Sequence, residues 1–130
     1  MILVDTSVWI RFLAIRTPYA VELDRLLSLD EVTGHELVYG ELLIGDRGGR
    51  RKLLAAYERI HQANLVPHND VVAFVRDRNL HGRGVGWIDV HLLASAIVGR
   101  LQLWTADACC SAVAKELGIA YITKPSHLLN

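Results

Sequence analysis

Only two of the 130 residues are cysteine, and they stand side by side as Cys109 and Cys110. Adjacent cysteines are poorly placed to bond each other, so no disulfide framework is expected and a reducing compartment is the default. Charge of one sign is missing too: 14 Lys and Arg against 14 Asp and Glu leave a formal net charge of +0. That excludes a whole-molecule field of the kind that marks a basic nucleic-acid coat. Any polyanion must be held locally. No stretch approaches the ~20 apolar residues of a membrane span. Asp5 interrupts the apolar start, with no basic region ahead of it, so no secretory leader is expected. Repeats, low-complexity tracts and interdomain linkers are absent as well. What is left is one cytoplasmic domain over residues 1–130, since single cores commonly run about 100–150 residues. The hydrophobic fraction of 52% suits a buried sheet with some apolar surface to spare for a partner.

Short apolar runs alternate with helical patterns. Strands are expected at Ile2–Val4, Glu31–Thr33, Leu65–Val66, Leu101–Trp104 and Ala120–Ile122. The first and fourth are almost continuously apolar, as in strands covered on both faces. Helices are expected over Ala20–Leu29, Gly34–Ile44, Arg51–Gln62, Asp70–Leu80, Trp87–Val98 and Ala108–Leu117. Alternation of this kind argues for parallel βαβ units: an α/β fold in three layers, α/β/α, around about five short, mostly parallel strands. The segments Gly45–Arg50 and Gly82–Gly86 read as loops within that domain.

Four acids fall where such a fold would bring them to one place. Asp5 closes the first apolar run, and Asp107 follows the fourth by three residues. Ligands of open parallel sheets bind outside the carboxyl ends of the strands. Glu41 and Asp89 lie on helical segments with mostly apolar neighbours. Each has a structural reading. Asp5 and Asp107 suit helix N-caps, and Asp89 sits in a first turn, where the macrodipole favours an anion by roughly 0.3–1 kcal/mol. Glu41 lies late in its helix, where the dipole disfavours it, so a nearby cation is expected. Carboxylates gathered in one crevice repel by roughly 4 kcal/mol per pair at about 4 Å and an effective dielectric near 20. A hard divalent cation with a preference for oxygen ligands relieves that repulsion, which points to metal-assisted phosphodiester chemistry.

The segments Met1-Ile2-Leu3-Val4-Asp5-Thr6-Ser7, Tyr39-Gly40-Glu41-Leu42, Gly86-Trp87-Ile88-Asp89-Val90-His91-Leu92-Leu93-Ala94-Ser95 and Thr105-Ala106-Asp107 resemble the successive motifs of PIN-domain proteins. More narrowly they resemble those of VapC-type toxins of type II toxin–antitoxin pairs. The resemblance runs in order through nearly the whole chain, and its third block is the most specific. It implies an endoribonuclease that uses Mg²⁺ or Mn²⁺, one ion or two, to activate water. Asp5, Glu41, Asp89 and Asp107 match the family's acidic metal-binding positions, Thr6 and Ser7 the positions beside the first acid, and Thr105 the hydroxyl residue before the last. The same resemblance implies a homodimer, and a cognate VapB-like antitoxin that wraps the early helices in a toxin–antitoxin hetero-oligomer. Such an antitoxin would push a basic side chain into the acidic crevice.

RNA must be recruited by local cations, either Arg47, Arg50, Arg51 and Lys52 or Arg76, Arg78, His81 and Arg83. Most of these suit a solvated surface. Arg83 is singled out for substrate binding because its glycine-flanked loop leads into the Asp89 helix. His91, two residues past Asp89, points away from it and reads as a structural or interface residue rather than a ligand. Trp9, Trp87, Trp104 and both cysteines read as core. Two rival functions share the architecture. One is a catalytically silent RNA-binding or regulatory module. The other is a receiver-type phosphoacceptor domain, suggested by Lys124-Pro125 but opposed by the helical pattern where its central phosphoacceptor strand would lie.

Overall fold

Ile2, Leu3 and Val4 form the strand β1, and all three are buried. Successive strand residues point to opposite faces, so burial of the whole run means that helices cover the sheet on both sides. This is the three-layer α/β/α arrangement. The computed structural model describes residues 1–123. In chain order β1 is followed by α1 (Thr6–Leu13), α2 (Tyr19–Ser28), β2 (Val32–Gly34), α3 (Glu36–Ile44) and α4 (Arg51–Tyr57). Then come β3 (His61–Gln62), α5 (His68–Asp77), α6 (Trp87–Gly99), β4 (Gln102–Trp104) and α7 (Ala108–Glu116). The strands are parallel in the order β3-β2-β1-β4. Ile2 lies opposite both Val32 and Gln102, and Val4 opposite Trp104. Ala120 adds a single parallel bridge to Leu103, so the expected fifth strand is reduced to one pairing among the described residues.

The core is continuous from the sheet outward. Leu3 and Val4 meet Val8, Trp9, Leu42, Leu92, Leu93 and Val113, all essentially without exposure. Trp9 sets its ring edge-on to Phe12 and Tyr57, and Trp104 lies between Tyr19 and Tyr121. The expected core role of these two tryptophans therefore holds. It fails for Trp87, which is 46% exposed, and for Cys109, which is exposed while Cys110 is buried.

Two expected elements differ. Leu65–Val66 forms no strand, and the helix expected over Arg51–Gln62 ends at Tyr57. The β3 pairing takes the last two residues of that stretch instead. Tyr57 is recruited by the neighbouring strand end: its hydroxyl accepts from His35 N at 2.8 Å. Gln62 then folds back, its Nε2 donating to Tyr57 O at 3.0 Å. A Cβ on Gly34 would stand 2.6 Å from Gln62 Nε2, so any larger residue there would displace the Gln62 amide from its bond to Tyr57 O. The third helix begins at Glu36 rather than Gly34 because His35 caps it, Nδ1 accepting from Leu37 N at 3.1 Å. Lys124, Pro125 and His127 lie outside the described residues.

Candidate active site

Parallel strands end on one rim, and β1 and β4 are neighbours there. Asp5 leaves β1 with its backbone N–H bonded to Trp104 O at 2.9 Å, so the two strand exits are fastened together. Asp5 stands at the N-cap of α1, yet its side chain makes no capping bond. It is buried, at 4% exposure. Its Oδ2 accepts two hydroxyls instead, from Ser7 and from Thr105, each at 2.7 Å. Ser7 Oγ accepts from Ala106 N at 2.9 Å, and Thr105 Oγ1 from Asp107 N at 3.1 Å. The loop that carries Asp107 is thus built onto the Asp5 carboxylate through hydroxyl relays.

The other three acids are also held by one oxygen each. Glu41 Oε1 accepts from Thr6 Oγ1 at 2.6 Å, a bond joining α1 to α3. Asp107 Oδ2 caps α7 by accepting from Cys110 N at 2.8 Å. Asp89, in the first turn of α6, takes Gly86 N on Oδ2 at 3.3 Å. The capping reading therefore holds for one oxygen of Asp107 and fails for Asp5, while Asp89 stands in the first turn as expected. Among the described residues no hydrogen bond reaches Asp5 Oδ1, Glu41 Oε2, Asp89 Oδ1 or Asp107 Oδ1.

These acids share a field. The Asp89 carboxyl is pushed up to about 6, first by burial and then by the charge of Asp5. The Gly86 N–H works the other way, and the charges of Asp107 and Glu41 add to the rise. Cys110 corroborates the geometry from below: burial pushes its thiol up, and Asp89, Asp5 and Asp107 push it further. Among the described residues, however, no three His, Cys, Asp or Glu side chains converge as a chelating group. The four acids are anchored on different elements and feel one another's charge without closing into a chelating group. Glu41 is only partly buried, and the Thr6 hydroxyl holds its Oε1.

As a donor set, carboxylate oxygens fit a divalent oxygen-seeking ion such as Mg²⁺ or Mn²⁺ better than a soft one. Thr6, Ser7 and Thr105 hold the carboxylates from behind, as outer-shell partners orient ligands.

Arg83 does not face this crevice as a free cation. Its Nη2 is paired with Glu116 Oε2 of α7 at 2.7 Å, both side chains being substantially exposed. The expectation that Arg83 holds substrate meets that competing partner. Its loop is nevertheless fitted to the site: Gly84 has φ +79, and a Cβ there would stand 3.0 Å from Cys109 Sγ. Sequence reasoning missed Trp87 as a surface group. The available signal was its place at the first turn of a helix, directly after a glycine loop and one turn from His91.

A model of the PIN domain matches residues 2–127. Ribonuclease VapC32 of Mycobacterium tuberculosis, in the strains CDC 1551 / Oshkosh and ATCC 25618 / H37Rv, is 42% identical to this chain over 121 residues. The match covers 92% of this chain and 95% of that protein. Among solved structures, FitAcB from Neisseria gonorrhoeae aligns with a TM-score of 0.61 at 23% identity. That alignment spans 95% of this chain and 97% of the other, a likeness of fold.

Proposed function

This chain belongs to the PIN-domain family, and on that premise we propose that it is a metal-dependent endoribonuclease, the toxin of a type II toxin–antitoxin pair. The observation that carries the chemistry is the division of labour within each acid: one oxygen fixed by the protein, one open. Asp5, Glu41, Asp89 and Asp107 would hold one or two ions of Mg²⁺ or Mn²⁺. When bound, such an ion supplies a water of lowered pKa and neutralises charge on the phosphoryl oxygens. The chain's own part is positional. Ser7 and Thr105 fix the Asp5 carboxylate, Thr6 fixes Glu41, and Gly86 fixes Asp89, so that the open oxygens keep their places as the ion and the RNA phosphate arrive.

The naming of the Mycobacterium tuberculosis relative as a ribonuclease supports RNA as the substrate. A VapB-like antitoxin and a homodimer follow from the same kinship, with the cytoplasm as the compartment. Attack by water rather than by the RNA 2′-OH leaves 5′-phosphate and 3′-hydroxyl ends. The test incubates total RNA with purified protein, with and without chelator, beside Asp5→Asn, and sequences the ends. Discrete cuts bearing 5′-phosphates, lost with chelator and in the variant, are expected. Cleavage by Asp5→Asn at the wild-type rate would remove the mechanism.

A further inference from the structure

Trp87 leaves 46% of its surface open to solvent on the first residue of α6, two positions before Asp89. Helix geometry puts the two Cα atoms about 5.4 Å apart on opposite sides of the turn. Because α6 runs back into the parallel strand β4, its first turn lies on the rim where β1 and β4 end. Asp89 faces the acidic crevice, and Trp87 occupies the other shoulder of the same turn.

The indole is not loose. His91, one turn further on the same face, meets it edge-on at 5.0 Å and 87°. His68, the first residue of α5, approaches at 5.4 Å and 56°. Two elements therefore steady a ring that remains half open. An apolar protein anchor would sit among apolar neighbours, whereas the rings against Trp87 are two imidazoles. A flat aromatic surface with polar flanks suits a nucleobase, which stacks through its π-face and needs no hydrogen-bond code.

We propose that Trp87, braced by His68 and His91, is a stacking site for an unpaired base of the RNA strand, next to the phosphate held at the four acids. The proposal rests on the ribonuclease reading and adds to it a subsite for single-stranded substrate. A strand crossing the start of α6 would place its phosphate on the Asp89 side and an adjacent base on the Trp87 side. Base-paired RNA keeps its bases stacked on one another and would not use this site.

The test compares wild type, Trp87→Ala and Trp87→Phe on a short single-stranded oligouridine in Mg²⁺. It includes a set of oligonucleotides with one abasic position moved along the strand. Trp87→Ala is expected to raise KM by roughly 5- to 150-fold, the range of aromatic–base stacking, with kcat little changed. Trp87→Phe should recover most of the loss. One abasic position should weaken wild type by a similar factor yet leave Trp87→Ala no weaker than it already is. If wild type cleaves and Trp87→Ala has the same KM, the subsite is overturned and the ribonuclease reading stands. Cleavage of no RNA by wild type overturns both. A KM change that accompanies an altered sedimenting mass assigns Trp87 to a protein interface and overturns the stacking site.

Discussion

Protons would compete with the proposed divalent ion for Asp89. Its carboxyl is pushed from 3.8 up to about 6, so folding favours its protonated form. The stability this group contributes is therefore fully present below its unfolded pKa and is lost as pH rises through about 6. Metal binding needs the carboxylate, so affinity runs the opposite way, rising through the same window. His35 slopes against Asp89: burial lowers its imidazole from 6.5 to about 4, and the stability it brings disappears as pH falls towards that value. The difference between wild type and Asp89→Asn isolates the acid. Metal-free Asp89→Asn should gain thermal stability over wild type as pH rises through 6, while losing the stabilisation that added Mg²⁺ gives wild type. Thermal melts over pH 4–8 check it, and parallel curves would contradict it. Thr6 tests the frame behind the acids. Thr6→Val keeps the shape but releases Glu41 Oε1, and loss of such an outer-shell partner typically costs about 10- to 100-fold in metal affinity or activity. RNA cleavage at the wild-type rate would show that Glu41 needs no such anchor.

Elements were legible from sequence where period and caps agreed, and misread where a tertiary bond overrode them. The apolar run of β1, the Asp107 cap of α7 and the extent of α6 all stand close to where their residues imply. The end of α4 does not, because the helical pattern through Gln62 carries no sign that Tyr57 serves His35 across 22 positions. Nor does sequence announce the network that locks α3 to α6. With His35 Nδ1 accepting from Leu37 N, Nε2 carries the proton and donates to Ser95 Oγ at 3.0 Å; Ser95 in turn donates to Asn64 O at 2.9 Å. Among the acids, type and order were readable, but the choice of one oxygen per carboxylate for the frame was not, since it depends on hydroxyls up to 100 residues away. Thr33 offers a contrast within β2. It is wholly buried and its hydroxyl has no partner among the described residues. Thr33→Val removes an unsatisfied polar atom at constant shape, so it should stabilise the protein by about 1 kcal/mol. Chemical denaturation measures this, and a loss of stability would mean that the hydroxyl is satisfied in solution.

At the scale of the molecule, neutrality and the acidic rim belong together. A chain with formal net charge +0 has no global field to draw in RNA, and the field at this rim is negative. On the proposed reading, an ion bound at the rim would serve both to draw in the RNA phosphate and to assist its cleavage. The surface pair of Arg83 with Glu116 adds little to stability, since exposed ion pairs contribute about 0–1 kcal/mol, and it engages Arg83 away from a free cationic role. Everything therefore turns on whether the four acids bind a divalent ion in the absence of RNA. Mn²⁺ titration followed by electron paramagnetic resonance answers this directly, at pH 7.5 and at pH 5, with wild type and with the amide variants of Asp5, Glu41, Asp89 and Asp107. Saturable binding at pH 7.5 that weakens at pH 5 and in every variant is the expected result. Binding indifferent both to pH and to Asp89→Asn would contradict it.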